Sequence, residues 1–167
     1  SAETTLEFDP PIYFAVTVTH DNNKRDVTYV YMEGLVYKVT TEPLGRRNNA
    51  ERMKHNIFDV YRFTGLKDST VYKDENSTKL LQNYTTGFIT LAMEYQRAND
   101  TIQALNAIDR IFKVIPYEWR GTSFAGSIYG WSGQWDKVDS LFEFGYEKFK
   151  TAKEEPDSES VTFFRVY

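Results

Sequence analysis

The sequence predicts an α+β fold that is mainly α: a small N-terminal α/β segment followed by two helical hairpins. Three observations predict it. Runs of β-branched and aromatic residues stand near the N-terminus, between proline and Asn/Asp turn signals. The second half carries apolar residues at steps of three and four, the period of one helix face. Asn-Asp and Ser-Gly breaks cut that half into helix-length pieces. The expected division is residues 1–77 for the α/β segment and an irregular connector, and 78–153 for the helical hairpins. Residues 154–167 form an acidic loop and a C-terminal segment apolar enough to dock back.

Within the first third, residues 12–19 form a β-branched and aromatic run after Pro10-Pro11. They predict a strand, with turn chemistry following at His20-Asp21-Asn22-Asn23. Near-continuous apolarity from Ile12 to Val16 predicts burial on both faces. Residues 35–40 predict a second strand, closed by Glu42-Pro43-Leu44-Gly45. Residues 27–33 lie between two readings. Their propensities favour β, whereas Gly34 suits the C-terminal cap of a short helix. In residues 52–63, Met53, Ile57, Val60 and Tyr61 are near helical spacing, so a short helix is expected there.

The clearest signal follows. Leu80, Tyr84, Phe88, Leu91 and Tyr95 recur at steps of four, four, three and four, one face of a long helix. Asp74 and Glu75 supply the negative charge that suits its N-terminus. Asn99-Asp100 ends that helix, and Asp100 with Gln103 resembles a capping box for the next. Ile102, Leu105, Ile108, Ile111 and Phe112 form the second stripe, ended by Pro116. A third helix is expected over about 119–131 and a fourth over about 135–153.

Two hairpins in series predict a repeat. With Pro116 as the terminal proline of a 34-residue tetratricopeptide-like unit, the unit begins at Thr85. A shift of one unit carries Ala92 to Gly126, Tyr95 to Tyr129, Asn99 to Gly133, Ala104 to Val138 and Ile108 to Phe142. Small residues, tyrosines and turn residues keep register, because a small residue on one helix lets its neighbour approach closely. Thr122, Val138 and Gly145 depart from the pattern, and a hairpin bundle without repeat ancestry is the competing reading.

Composition narrows the function. With 41% hydrophobic residues and 16% aromatics the chain has material for a core, and net charge −4 gives no footprint for nucleic acid. The short basic cluster Arg46, Arg47, Arg52, Lys54 reads as a solvated loop. No cysteine is present, which excludes disulfides, thiolate metal sites and Cys nucleophiles. His20 and His55 lack a ligand partner at i+3 or i+4, and no catalytic, metal or cofactor residue is predicted. The four glycines from Gly121 to Gly133 fall within or between amphipathic helices, not in a phosphate loop. Sequons at Asn76, Asn83 and Asn99 matter only in a eukaryotic secretory setting. The aromatic abundance suits either core packing or a groove for sugar or peptide.

Several ordered segments resemble a known family. Pro11-Ile12-Tyr13-Phe14-Ala15-Val16-Thr17-Val18 is similar to the strand after the last membrane span in bacterial multi-pass proteins of the GT-C, protein O-mannosyltransferase-like superfamily. Met32-Glu33-Gly34-Leu35-Val36-Tyr37-Lys38-Val39 resembles a further segment of that family. So do residues 56–66, Tyr72-Lys73-Asp74-Glu75-Asn76 and Leu80-Leu81-Gln82-Asn83-Tyr84. The resemblance covers most of residues 10–150. It implies an extracytoplasmic (periplasmic) tail with tetratricopeptide-like repeats on a membrane enzyme that moves sugar from a lipid-phosphate donor. The family's catalytic acid lies in an early loop between membrane helices, a region with no counterpart here, so no catalytic residue carries over. The resemblance also favours a helix over residues 25–33.

The expected function is that of a non-catalytic accessory domain that positions an acceptor protein or partner for the parent. The alternative is a free-standing tetratricopeptide-type adaptor. No membrane span is evident, so membrane contact is expected only through a preceding region; Ser1-Ala2-Glu3, without Met, looks like the start of an excised piece. Recognition is expected on the concave face of the first helices of each hairpin, at Thr86, Met93, Gln96, Arg120, Ser123 and Ser127.

Overall fold

The computed structural model of the chain describes residues 8–18, 29–42, 48–68, 70–115 and 121–151. It is mainly helical, with a small three-stranded antiparallel sheet near the N-terminus, the class the sequence predicts. Strands β1 (Tyr13–Ala15), β2 (Val30–Met32) and β3 (Val36–Val39) precede helix α1 (Ala50–His55) and a π-helical turn at Asn56–Val60. Helices α2 (Glu75–Arg97), α3 (Thr101–Val114), α4 (Thr122–Trp131) and α5 (Trp135–Thr151) follow. The expected acidic loop and docking segment lie outside the described residues. Two compact units share the chain: Ser1–Arg62 with Glu75–Gly87, and Phe63–Asp74 with Phe88–Tyr167. The chain passes between them after Arg62, after Asp74 and, within α2, after Gly87.

In the first unit β3 is the middle strand. It pairs with β1 through Tyr13↔Lys38, Phe14↔Tyr37 and Ala15↔Val36, and with β2 through Val30↔Val39, Tyr31↔Lys38 and Met32↔Tyr37. Lys38 is buried in the row between Tyr13 and Tyr31, with its Nζ 5.8 Å from the Tyr13 ring centroid. Its aliphatic stem therefore serves as core, as long cationic side chains commonly do.

Two expectations fail in this unit. The strand expected over residues 12–19 is short, and Ile12 and Tyr13 are 43% and 44% exposed, so it is not buried on both faces. Among the described residues it is an edge strand, paired with β3 alone. The helix that the family resemblance favours over residues 25–33 is contradicted where the residues are described: Val30–Met32 is a strand. Local β propensity prevails because β3 supplies a ladder for these groups.

Gly34 accordingly caps no helix; it turns β2 into β3. Its φ of 114° lies in a region that L side chains avoid, and an added Cβ would stand 2.6 Å from Tyr61 Oη. That close approach lets Tyr61 Oη accept from the Leu35 amide at 2.9 Å, while Asn56 Nδ2 donates to the Glu33 carbonyl at 2.7 Å. Burial pushes the Tyr61 phenol up, so it stays protonated. The short helix expected around Met53 and Ile57 is present, capped by Asn49, whose side chain accepts from the Arg52 amide. Both apolar residues are buried.

Of the two expected stripes, Phe88, Leu91, Ile108 and Ile111 are buried as predicted, but each buried face is turned from its predicted line at other positions. Leu80, at the first-unit end of α2, is 53% exposed, whereas Leu81, Thr85, Phe88, Leu91 and Ala92 are buried. Ile102 is 71% exposed, and the inner face of α3 is Ala104, Ala107, Ile108, Ile111 and Val114. The inner faces mix small residues, Ala92, Ala104 and Ala107, with large ones, Phe88, Leu91, Ile108 and Ile111.

The two hairpin turns repeat each other bond for bond. Asp100 N donates to Tyr95 O and Asn99 N to Gln96 O; 34 positions later Gln134 N donates to Tyr129 O and Gly133 N to Gly130 O. Asn99 (φ 55°) and Gly133 (φ 76°) hold the same left-handed place. Each is a Schellman closure, which satisfies the last carbonyls of a helix. Helix ends keep the step too: α2 ends at Arg97 and α4 at Trp131, while α3 starts at Thr101 and α5 at Trp135.

Two stability outcomes follow from these contacts. Ala92 and Gly126 are both buried, so Ala92→Leu or Gly126→Leu should overpack and cost about 1–3 kcal/mol by urea unfolding. Gln96→Ala should stay within about 0.5 kcal/mol, and equal losses for all three would refute the close-contact assignment. Gly65, also left-handed (φ 75°), has open space where a Cβ would sit, so Gly34→Ala should destabilise clearly more than Gly65→Ala.

Candidate functional site

Three side chains from successive helices meet in the second unit. Tyr129 is on α4, two residues before that helix ends; Asp109 is in the middle of α3; Lys137 is in the first turn of α5. The Schellman turn at Gly133 brings Lys137 back beside Tyr129. Tyr129 is buried, and its hydroxyl donates to Asp109 Oδ1. Lys137 Nζ donates to both carboxylate oxygens of Asp109, at 3.1 and 3.2 Å, and stands 4.7 Å from the Tyr129 ring centroid. Burial, then the hydrogen bond to Asp109 and its negative charge, push the Tyr129 phenol far above the ordinary tyrosine value. The hydroxyl is thus a fixed donor, and the lysine and aspartate charges neutralise each other.

This cluster forms one wall of a pocket of about 320 Å³, lined by Phe112, Tyr129, Lys137, Ser140, Leu141 and Phe144. Its lining is mostly apolar: two phenylalanines, a leucine, the tyrosine ring and the lysine stem. Such a cavity is at the small end of ligand sites and suits a side chain or small apolar group. Phe112 is here because α3 is rotated; as a stripe residue it was expected to face the core, and instead it is half-buried at the flank.

The residues predicted for recognition are placed as follows. Thr86 is exposed on the first-unit part of α2, and its hydroxyl donates to the Gln82 carbonyl of its own helix at 2.9 Å. Met93 and Gln96 are half-buried on the second-unit part of α2; Ser127 is exposed on α4. Ser123 is half-buried on α4, with its Oγ buried and without a hydrogen-bond partner. Arg120 lies outside the described residues. No hydrogen bond, ion pair or ring contact joins any two of the five described. At about 100° per residue, Ser123 and Ser127 point about 120° and 160° away from Tyr129 around α4, so the pocket is on another face.

Sequence reasoning did not find the pocket. Asp109 and Tyr129 are twenty residues apart and Lys137 a further eight. No local motif joins them; only the repeat register, which pairs Tyr129 with Tyr95, marks the tyrosine. His55 is exposed and, contrary to the expectation that it lacks a partner at i+4, has its Nδ1 3.1 Å from Asp59 Oδ2. Among the described residues no group of three His, Asp or Glu could hold a metal ion, and no helix is long and apolar enough to cross a membrane.

The cluster has a measurable alkaline signature. The folded pKa of Tyr129 is raised above its unfolded value, so its contribution is complete below about pH 10 and is lost as pH climbs toward the folded value. Tyr129→Phe should cost about 1–3 kcal/mol at pH 7, the range for a hydrogen bond to a charged acceptor. Urea unfolding of both proteins at pH 7 and above pH 10 should show the difference shrinking in alkali; a constant gap would mean that the hydroxyl is not buried on Asp109.

Compared with known proteins, the chain matches no family model, no curated protein and no solved structure.

Proposed function

We propose that this chain is a non-catalytic docking domain built on two tetratricopeptide-like repeats, the extracytoplasmic part of a membrane glycosyltransferase-like protein, positioning an acceptor or partner for the parent. One observation carries the docking role. Around their turns the two hairpins repeat at a step of 34 residues, in the flanking helix ends, the left-handed residue and the turn hydrogen bonds, although the outer helix ends do not keep that step. Tetratricopeptide units have that length, and stacked repeats present extended surfaces to protein segments. The tie to sugar transfer has a separate support, the ordered resemblance of residues 10–150 to GT-C tails. Of those segments, Met32–Val39 holds the last residue of β2, the Gly34 turn and the whole of β3.

A remote domain raises rate by holding the acceptor where the reacting groups can meet, converting a chance encounter into a local one. Its surfaces bind the acceptor, and the chemistry belongs to the membrane portion of the parent. Thr86, Met93, Gln96, Arg120, Ser123 and Ser127 remain the residues assigned to recognition on the first helices.

The reading is tested at two levels. Purified residues 1–167 should show no transfer or hydrolysis with lipid-phosphate sugars. Deleting them from the parent protein should lower acceptor modification while the membrane portion still accumulates. Turnover by the isolated chain, abolished by changing one of its own carboxylates, would refute it. An upstream reading frame without membrane spans would leave the adaptor role and remove the glycosyltransferase.

A further inference from the structure

The helical unit exposes one more feature beside the pocket. Around α5 at about 100° per residue, Lys137, Ser140, Leu141 and Phe144 face the pocket, and Asp136, Asp139 and Glu143 occupy the exposed flank adjoining Ser140. These three carboxylates have no ion-pair or hydrogen-bond partner among the described residues. The cation that lines the pocket, Lys137, is held on Asp109 and does not offset them. The mouth of an apolar cavity is therefore bordered on its α5 side by uncompensated negative charge.

We infer that this pocket is a docking site for a lysine- or arginine-bearing segment of a partner protein, which inserts one aromatic or aliphatic side chain as its anchor. The inference deepens the docking function proposed above, and rests on it, by naming the chemistry of the segment and a site on a different face from Ser123 and Ser127. Buried anchors in well-formed pockets dominate binding energy, and a charged rim sets which partners approach. An acidic segment would meet Asp136, Asp139 and Glu143 at the mouth and be repelled. A basic one would be drawn in, with neutral Tyr129 and the paired Lys137 offering no competing charge.

The probe is a fluorescent, acetylated heptapeptide with one phenylalanine between two pairs of lysines, titrated by anisotropy into the whole 167-residue chain at low ionic strength. Ser140→Trp, which fills the mouth from an exposed position, should weaken binding by at least about tenfold, as should alanine in place of the peptide's phenylalanine. The pair Asp139→Asn with Glu143→Gln should weaken it about fivefold at low salt and hardly at all in concentrated salt. Circular dichroism establishes that each variant is folded, and the peptide changes test the anchor without altering the protein. Equal binding by the wild type and Ser140→Trp, or by a glutamate version of the peptide, overturns the inference. So does dimerisation of the wild type that Ser140→Trp abolishes and the peptide does not compete with, since the occupant is then a second copy. Backbone amide shifts separate the two levels: changes at Leu141 and Phe144 support the pocket, whereas changes confined to Met93, Gln96 and Ser127 remove the pocket and keep the docking role. If neither the basic nor the acidic peptide binds anywhere on the chain, both fall.

Discussion

Both helical hairpins depend on one residue each held in the left-handed backbone region, Asn99 in the first and Gly133 in the second. A helix ends with carbonyls that have no partner along their own axis. The left-handed residue's own amide and the one after it turn back onto them: Asn99 and Asp100 donate to the carbonyls of Gln96 and Tyr95, and Gly133 and Gln134 to those of Gly130 and Tyr129. The chain then leaves at a fixed angle and starts a new helix at once, with the Asp100 carboxylate accepting from the Gln103 amide. Asn and Gly are the residues that bear this conformation at least cost. These two turns set the start of α3 and of α5.

The placement explains why a tyrosine stands four residues before each left-handed residue. At Tyr95 burial, with the Asp100 charge, pushes the phenol up; at Tyr129 burial and Asp109 do so more strongly. A large ring fills the space that small residues open between helices, and its hydroxyl must find an acceptor because it is cut off from water. In the second hairpin the acceptor is the Asp109 carboxylate, and a carboxylate beside a buried phenol calls for a cation. Lys137 is available because the Gly133 turn starts α5 directly below. The pocket is a consequence of that arrangement, for the rings and the lysine stem that shield the cluster leave a cavity between them.

Much of this was legible before any coordinates. The period of three and four in the second half, the Asn-Asp and Ser-Gly breaks and the 34-residue register locate the described helices and both turns. Side-chain direction was harder. Counting Leu80 and Ile102 as inner residues treats hydrophobicity as burial, yet Thr85, Ala104 and Ala107 are inside and Ile102 is out. Residues 30–32 show the converse: their β propensity was sound, and the family pattern led away from it, because a strand's partner is supplied by the rest of the sheet and not by its own sequence. The site was the least legible part. Asp109, Tyr129 and Lys137 come from three different helices, and no short pattern carries that information.

Charge then separates structure from recognition in the helical unit. A carboxylate that is satisfied inside a cluster has no field to spare for a partner; one left exposed beside an apolar opening does. Asp109 is the first kind, accepting from Tyr129 and Lys137 together. Asp136, Asp139 and Glu143 are the second kind. They lie on the same helix as Lys137, yet on the flank that the lysine does not reach. Exposed ion pairs on this surface, such as Lys150 with Glu147, add little to stability because water screens them. The same screening leaves long-range attraction intact at low salt, so unpaired carboxylates act on the approach of a partner more than on the fold. A chain that keeps Lys137 bound to Asp109, and leaves its neighbours free, holds its pocket in shape while presenting one sign of charge at the entrance.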